Sequence, residues 1–289
     1  MPSIENLIFS GGGVKGIGYG AVLTVLESLG ALEHVRGFAG TSAGAMVALL
    51  LAVGYSGVEL RNMLLYEHSP EQVLGDVSPM RIFLDSSAYG FNSGERVLAL
   101  LRQKVRDKLG NTAKVTFAWL RSALGKDLRV FVTNLNLGRS QELSADTEPD
   151  MEAALAVRAS MSLPIIFDPV VYRGDYLVDG GMLNNFPSHV FPAHNSLGFV
   201  FVHHLAGAEG GSAAPSRDPI TSRLEFLSQL MVCTMRDSRN RDHGGLAICE
   251  IEVGDTTSRD FELTMEERFK LDWLAFKSVW VWLASLKPT

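Results

Sequence analysis

Ser42 stands at the centre of Gly40-Thr41-Ser42-Ala43-Gly44, a G-x-S-x-G spacing in which small residues flank a hydroxyl. Such a spacing lets a strand turn sharply into a helix. It lifts the serine Oγ to the mouth of a sheet, above the helix N-terminus, where the oxygen can act as a nucleophile. Gly40 and Gly44 would form that elbow. The same letters describe an ordinary strand-to-helix turn capped by Thr41 or Ser42, both common capping types. A nucleophilic serine also needs an oxyanion site and a base.

The run Gly11-Gly12-Gly13-Val14-Lys15-Gly16 offers the first. Gly11, Gly13 and Gly16 fit the G-x-G-x-x-G dinucleotide fingerprint, which follows a strand and opens a helix as this run does. That fingerprint wants an acidic residue after the second strand, where this chain carries Gly40-Thr41-Ser42. A P-loop would need Gly-Lys followed by Ser or Thr, and the run lacks it. In a third reading, which fits better, the amides of Gly11, Gly12 and Gly13 form an oxyanion hole at a helix N-terminus. Lys15 would then orient the loop or steer an anionic head group; the plain alternative is a solvated lysine.

Seven histidines are candidate bases. His203 and His204 end an expected strand, and His34 begins the strand that leads to Ser42, so it lies at the wrong end. His68, His189, His194 and His243 fall in expected loops or helix ends. Asp179 is the better candidate, because it ends a short strand as Ser42 does and is followed by Gly180-Gly181, which leave room for a close approach. A turn aspartate would look the same. Asp179 could serve as a base if burial raised its carboxyl from the ordinary value near 3.9. No residues show metal-ligand spacing, and neither metal nor cofactor is expected.

The elements that must position these groups follow from periodicity. Ile4–Ser10 reads as a buried strand, Gly16–Leu29 as a helix, and the strand before Ser42 and the apolar helix after it complete a β-α-β-α unit. Residues 56–128 break the rhythm and read as an inserted helical cap or lid, with a helix from Ser93 or Gly94 to Leu109. Leu128–Asn136 and Ser140–Ser144 read as a hairpin, Asp150–Ala159 as a helix, and Tyr176–Val178, Leu197–His203 and Leu246–Val253 as strands. Helices are expected at Ser222–Arg239 and Thr264–Leu286, and a surface loop at Gly207–Pro219. The last helix carries Phe269, Trp273, Phe276, Trp280 and Leu283 on one face, which reads as core packing ahead of a membrane-interface stripe.

Four motifs occur in order: GGGVKG at Gly11–Gly16, GTSAG at Gly40–Gly44, ASMSLP at Ala159–Pro164 and DGG at Asp179–Gly181. Together they resemble the patatin-like phospholipase family. The resemblance extends over roughly Ile4–Pro187, including Asn184-Asn185-Phe186-Pro187. It implies a layered α/β fold with a mostly parallel sheet flanked by helices. It also implies a serine acyl hydrolase that attacks phospholipid and related esters through a Ser–Asp dyad, without histidine or metal. Ser42 would be the nucleophile, Asp179 the base, and Gly11–Gly13 the oxyanion loop. The rival readings are a nucleotide-binding protein that uses the glycine loop and a catalytically silent lipid binder of the same fold.

Composition sets the outer bounds. The chain has 289 residues, 46% hydrophobic and 20% charged, with a formal net charge of −6, which suits one α/β domain over 1–289 and argues against nucleic acid. Cys233 and Cys249 form no C-x-x-C, as expected of free thiols in a reducing compartment. With no signal-like N-terminus and no apolar run longer than Ala45–Val53, a cytoplasmic protein is expected, at most peripheral to a membrane; export without a signal would leave no trace. Between Arg96 and Arg129, nine Lys and Arg face two Asp, a local +7. This segment, 96–129, reads either as a solvated face or as a contact for anionic lipid.

Overall fold

The computed structural model describes residues 3–67, 81, 88–110, 114–203, 243–256 and 263–286. A mostly parallel sheet lies between helical layers. Its central strand, β1 (Asn6–Phe9), is flanked by β2 (Gly37–Thr41) and β9 (Ser196–Val202), and β10 (Ala247–Glu252) extends the sheet beyond β9, all parallel. Leu7, Ile8 and Phe9 are fully buried, as a strand covered on both faces requires. Helix α1 (Ile17–Ser28) follows a 3₁₀ turn over Gly13–Gly16, and α2 (Ala43–Ala52) follows Ser42. α2 is buried almost all round, so its Ala- and Leu-rich sequence shows no polar face.

The second half of the sheet departs from simple alternation. β4 (Asp127–Asn134) runs parallel to β2 but outlasts it: Thr41 pairs with Phe131, and β4 continues to Asn134. One edge of β4 is taken by β5 (Arg139–Ser144), antiparallel from Arg129 to Asn134. The other edge carries β2 as far as Phe131 and then β8 (Asp175–Asp179), also antiparallel, with Val132 opposite Asp179. β2 and β8 therefore meet end to end along one strand. Asp179 ends its strand as Ser42's neighbour Thr41 does, and β8 runs antiparallel to β4 and to the parallel strands beside it. β7 (Val170–Tyr172) pairs with β8 in a second hairpin, and β6 (Ile165–Phe167) pairs with β3 (Gly90–Asn92) in a small separate sheet.

Within the expected cap, the described residues form α3 (Gly57–Asn62), β3, α4 (Glu95–Leu109) and α5 (Phe117–Leu124). α4 and α5 bury Val97, Leu98, Leu101, Val105, Phe117 and Leu120 in the main core. Residues 68–80, 82–87 and 111–113, where much of the lid expectation falls, lie outside the described residues. So do His68, His204, Cys233, the expected loop 207–219 and the expected helix 222–239. α6 (Ala153–Ser160) packs against β4, β8 and α2.

One expectation is corrected in part. The aromatic face of α7 (Met265–Ser285) forms core only in part: Phe276 and Leu283 pack half-buried against it, whereas Phe269, Trp273 and Trp280 are exposed, Trp273 by 64%, and Leu271, Asp272, Ala275, Ser278 and Val279 face inward. The cause is close helix packing. A Cβ on Gly18 of α1 would lie 3.1 Å from that of Ala275, a spacing that admits no ring. Asp272 is buried there because Arg61 forks onto it at 2.9 and 2.6 Å. The basic segment 96–129 is laced with ion pairs. Arg102 pairs with Glu152, Lys104 with Glu67, Lys108 with Glu59, and Arg121 and Arg129 share Asp127 and Asp146. Glu59, Glu67, Asp146 and Glu152, outside the run, join Asp127 within it in pairing five of its nine basic residues.

Candidate active site

Ser42 is the residue between β2 and α2, and its backbone is strained, with φ 54° and ψ −125°. A non-glycine residue at positive φ costs of order 1–3 kcal/mol and persists only where its surroundings enforce it. Several contacts do so here. The Ser42 N–H donates to Ser160 Oγ at 2.8 Å, and that hydroxyl donates to the Phe131 carbonyl at 2.6 Å. A Cβ on Gly44 would lie 2.6 Å from the carbonyl oxygens of Phe9 and Ser10, and one on Gly40 would strike the backbone of Gly44 and Ala45. The elbow glycines are thus dictated by close approach of α2 to the ends of β1 and β2.

Asp179 is buried at the end of β8. Burial, opposed in part by a hydrogen bond with the Ser42 side chain and another from the Gly181 N–H, 2.7 Å long, lifts its carboxyl from the ordinary value to about 6. Its own N–H donates to the Ser162 carbonyl at 2.9 Å. Gly180 is required because a Cβ there would collide with the Phe131 carbonyl. The register explains the pairing of the two side chains. Thr41 and Asp179 face successive residues of β4, Phe131 and Val132, so the residue after Thr41 comes directly against the carboxylate.

The glycine loop leaves β1 and crosses beside Ser42. Tyr19 anchors its root, donating to the Ser10 carbonyl at 2.6 Å. Gly11 is not a spare donor: its N–H goes to the Asn185 carbonyl at 2.9 Å, and its own carbonyl accepts from Asn185 Nδ2 at 3.2 Å. Gly12 and Gly13, the other two expected oxyanion glycines, are partly exposed, with Gly13 at φ 56°. Asn184 completes the clamp by accepting from Thr41 Oγ1 at 3.0 Å. Lys15 is buried, which excludes the solvated-lysine alternative.

Among the described histidines none meets this pair. His203 Nδ1 lies 2.8 Å from the Gly254 carbonyl, His243 packs edge-on against Phe186, and His34, His189 and His194 are exposed.

Two groups escaped the sequence reading. Ser160, noted only as part of ASMSLP, ties Ser42 to β4. Arg158, buried two residues earlier in α6, reaches Ser162 Oγ and the carbonyls of Ser93, Gly94 and Asp168. Desolvation lowers its guanidinium to about 10, with Glu95 and Asp168 opposing. The one available signal was the excess of small polar residues at a helix end, where a helix otherwise stops on glycine.

The sequence profile of the family described as Patatin-like phospholipase matches residues 7–192. Uncharacterized protein YqhO of Bacillus subtilis (strain 168) is 31% identical over 288 residues, 91% of this chain and 92% of that one. A protein of Invertebrate iridescent virus 6 named probable lipid hydrolase 463L is 27% identical over 186 residues, 63% of this chain and 61% of its own. Among solved structures, VipD from Legionella pneumophila aligns with a TM-score of 0.61 over 98% of this chain and 67% of its own, at 18% identity, a likeness of fold alone.

Proposed function

The chain belongs to the patatin-like phospholipase family, and from that membership we propose that it is a lipid acyl hydrolase, of phospholipase A or lysophospholipase type, working through a Ser42–Asp179 dyad. Asp179 takes the Ser42 proton as Oγ attacks an ester carbonyl. The resulting oxyanion is received by the N–H groups of Gly12 and Gly13. Collapse breaks the ester bond, Asp179 returns its proton to the departing alkoxide, and the acyl group stays on Ser42. A water molecule then loses its proton to the same carboxylate, attacks the acyl-enzyme, and releases the fatty acid while Ser42 regains its proton.

The observation that carries this reading is the strained Ser42 hydroxyl set against a buried carboxylate lifted to about 6. Strain of this kind concentrates at functional sites. A base titrating near 6 is ionised at neutral pH yet far more basic than an exposed aspartate. The test is turnover of a water-soluble p-nitrophenyl ester and of phosphatidylcholine by wild type and Ser42→Ala. Activity retained by a correctly folded Ser42→Ala would sink the proposal.

A further inference from the structure

Both hairpins of the second half of the sheet project past the dyad. β4 continues three residues beyond the level of Phe131, and its turn into β5 spans Leu135–Gly138; β8 enters from the same end after the Arg173-Gly174 turn. At about 3.3 Å per residue the two tips stand roughly 10–13 Å beyond Ser42 and Asp179. The hairpins carry exposed apolar side chains: Leu135 is 50% exposed, Leu137 52% and Val171 57%, and Tyr89, just before β3 and 59% exposed, packs edge-on against Tyr176 of β8.

These leucines are held out by a built turn. Asn134 Oδ1 accepts from the Leu137 N–H at 3.0 Å, its Nδ2 donates to Asp175 at 2.7 Å, and Asn136 Oδ1 accepts from the Tyr176 N–H at 2.8 Å, locking one tip to the other. Two basic residues flank them, Arg139 and Arg173, of which Arg173 is ion-paired with Glu148 at 3.0 Å, and Asp175 accepts from Asn134. Hairpin tips with two exposed leucines and Arg139 beside them suit an interface that yields to insertion and carries negative charge. A flat protein partner would need a broader face.

We propose that the paired β4–β5 and β7–β8 hairpin tips are the docking surface for a phospholipid bilayer, seating the dyad at the lipid level. This rests on the proposed acyl-hydrolase function, since the substrate it delivers is the lipid of that bilayer. It also replaces the basic segment 96–129 as the membrane contact.

The test uses full-length Ser42→Ala protein and sedimentable vesicles of phosphatidylcholine with or without phosphatidylglycerol. Leu135→Ser with Leu137→Ser should weaken partitioning by about tenfold on both vesicles, and Arg139→Ser should weaken it on the anionic vesicles alone. In the Ser42 background the leucine pair should leave water-soluble ester turnover unchanged and lower turnover of vesicle lipid. Undiminished partitioning of the double variant would overturn the proposal. So would loss of binding caused instead by Trp273→Ser with Trp280→Ser, or a change in oligomeric mass on altering the leucines, which would mark the tips as a contact between copies. Failure of the catalytic reading is separate: wild type would then turn over no soluble ester, whatever the vesicles showed.

Discussion

Replacing Asp179 by Asn should abolish ester hydrolysis and, at neutral pH, make the protein more stable. Burial raises this carboxyl from 3.8 to about 6, a shift of about two units, and each unit is worth ~1.4 kcal/mol. Because the folded-state value is the higher, the folded chain holds a proton that the unfolded chain has released between about pH 4 and pH 6. Stability from this group therefore falls as pH rises through that window, and the full cost, about 3 kcal/mol, is present above pH 7. Asparagine cannot ionise, yet its Oδ1 can still accept the Gly181 N–H. Asp179→Asn should thus exceed wild type by up to about 3 kcal/mol at pH 8, roughly 5–10 °C in melting temperature for a chain of this size, with the gap closing near pH 4. Urea unfolding of both proteins across pH 4–8 measures it. A variant no more stable than wild type at pH 8, or a gap that does not change with pH, would refute the reasoning.

With the same carboxylate as base, kcat/KM on an uncharged p-nitrophenyl ester should fall tenfold per pH unit below about 6 and level off above it; a rate still climbing through pH 9 would contradict this. Ser160→Ala removes the acceptor of the Ser42 N–H and should lower kcat by roughly ten- to a hundredfold with little change in KM, while Ser160→Thr restores part of it, since the group acts by holding the nucleophile in place. Steady-state kinetics separates this from simple destabilisation, which would reduce the active fraction and leave both constants per active site intact. Gly44→Ala forces a Cβ to within 2.6 Å of two carbonyl oxygens and should cost at least about 2 kcal/mol in urea unfolding; a near-neutral result would mean that α2 shifts freely away from β1.

Local patterns made the first half of the site legible. The glycine run, the elbow and the helices on either side lie within fifty residues, and the elbow glycines Gly40 and Gly44 answer backbone contacts within that span. Asp179 was legible as a residue type at a strand end. The direction of its strand was not, because antiparallel entry along the unused edge of β4 is settled by pairing between residues more than forty positions apart. The same limit hid Asn185, whose clamp on Gly11 reaches across 174 positions, and it hid the carboxylates that pair with the basic segment. On α7, helical spacing showed that the aromatic residues share a face but not which way that face points. The close approach of Gly18 to Ala275 decided that.

The central claim is that Ser42 is a nucleophile activated by Asp179. Treatment of the folded protein with a fluorophosphonate, followed by intact mass and peptide mapping, tests it most directly. The account predicts one adduct per chain, on Ser42, absent in Ser42→Ala and slowed at least a hundredfold in Asp179→Asn. Labelling that maps to another residue, or that proceeds at the wild-type rate without the Asp179 carboxylate, would contradict it.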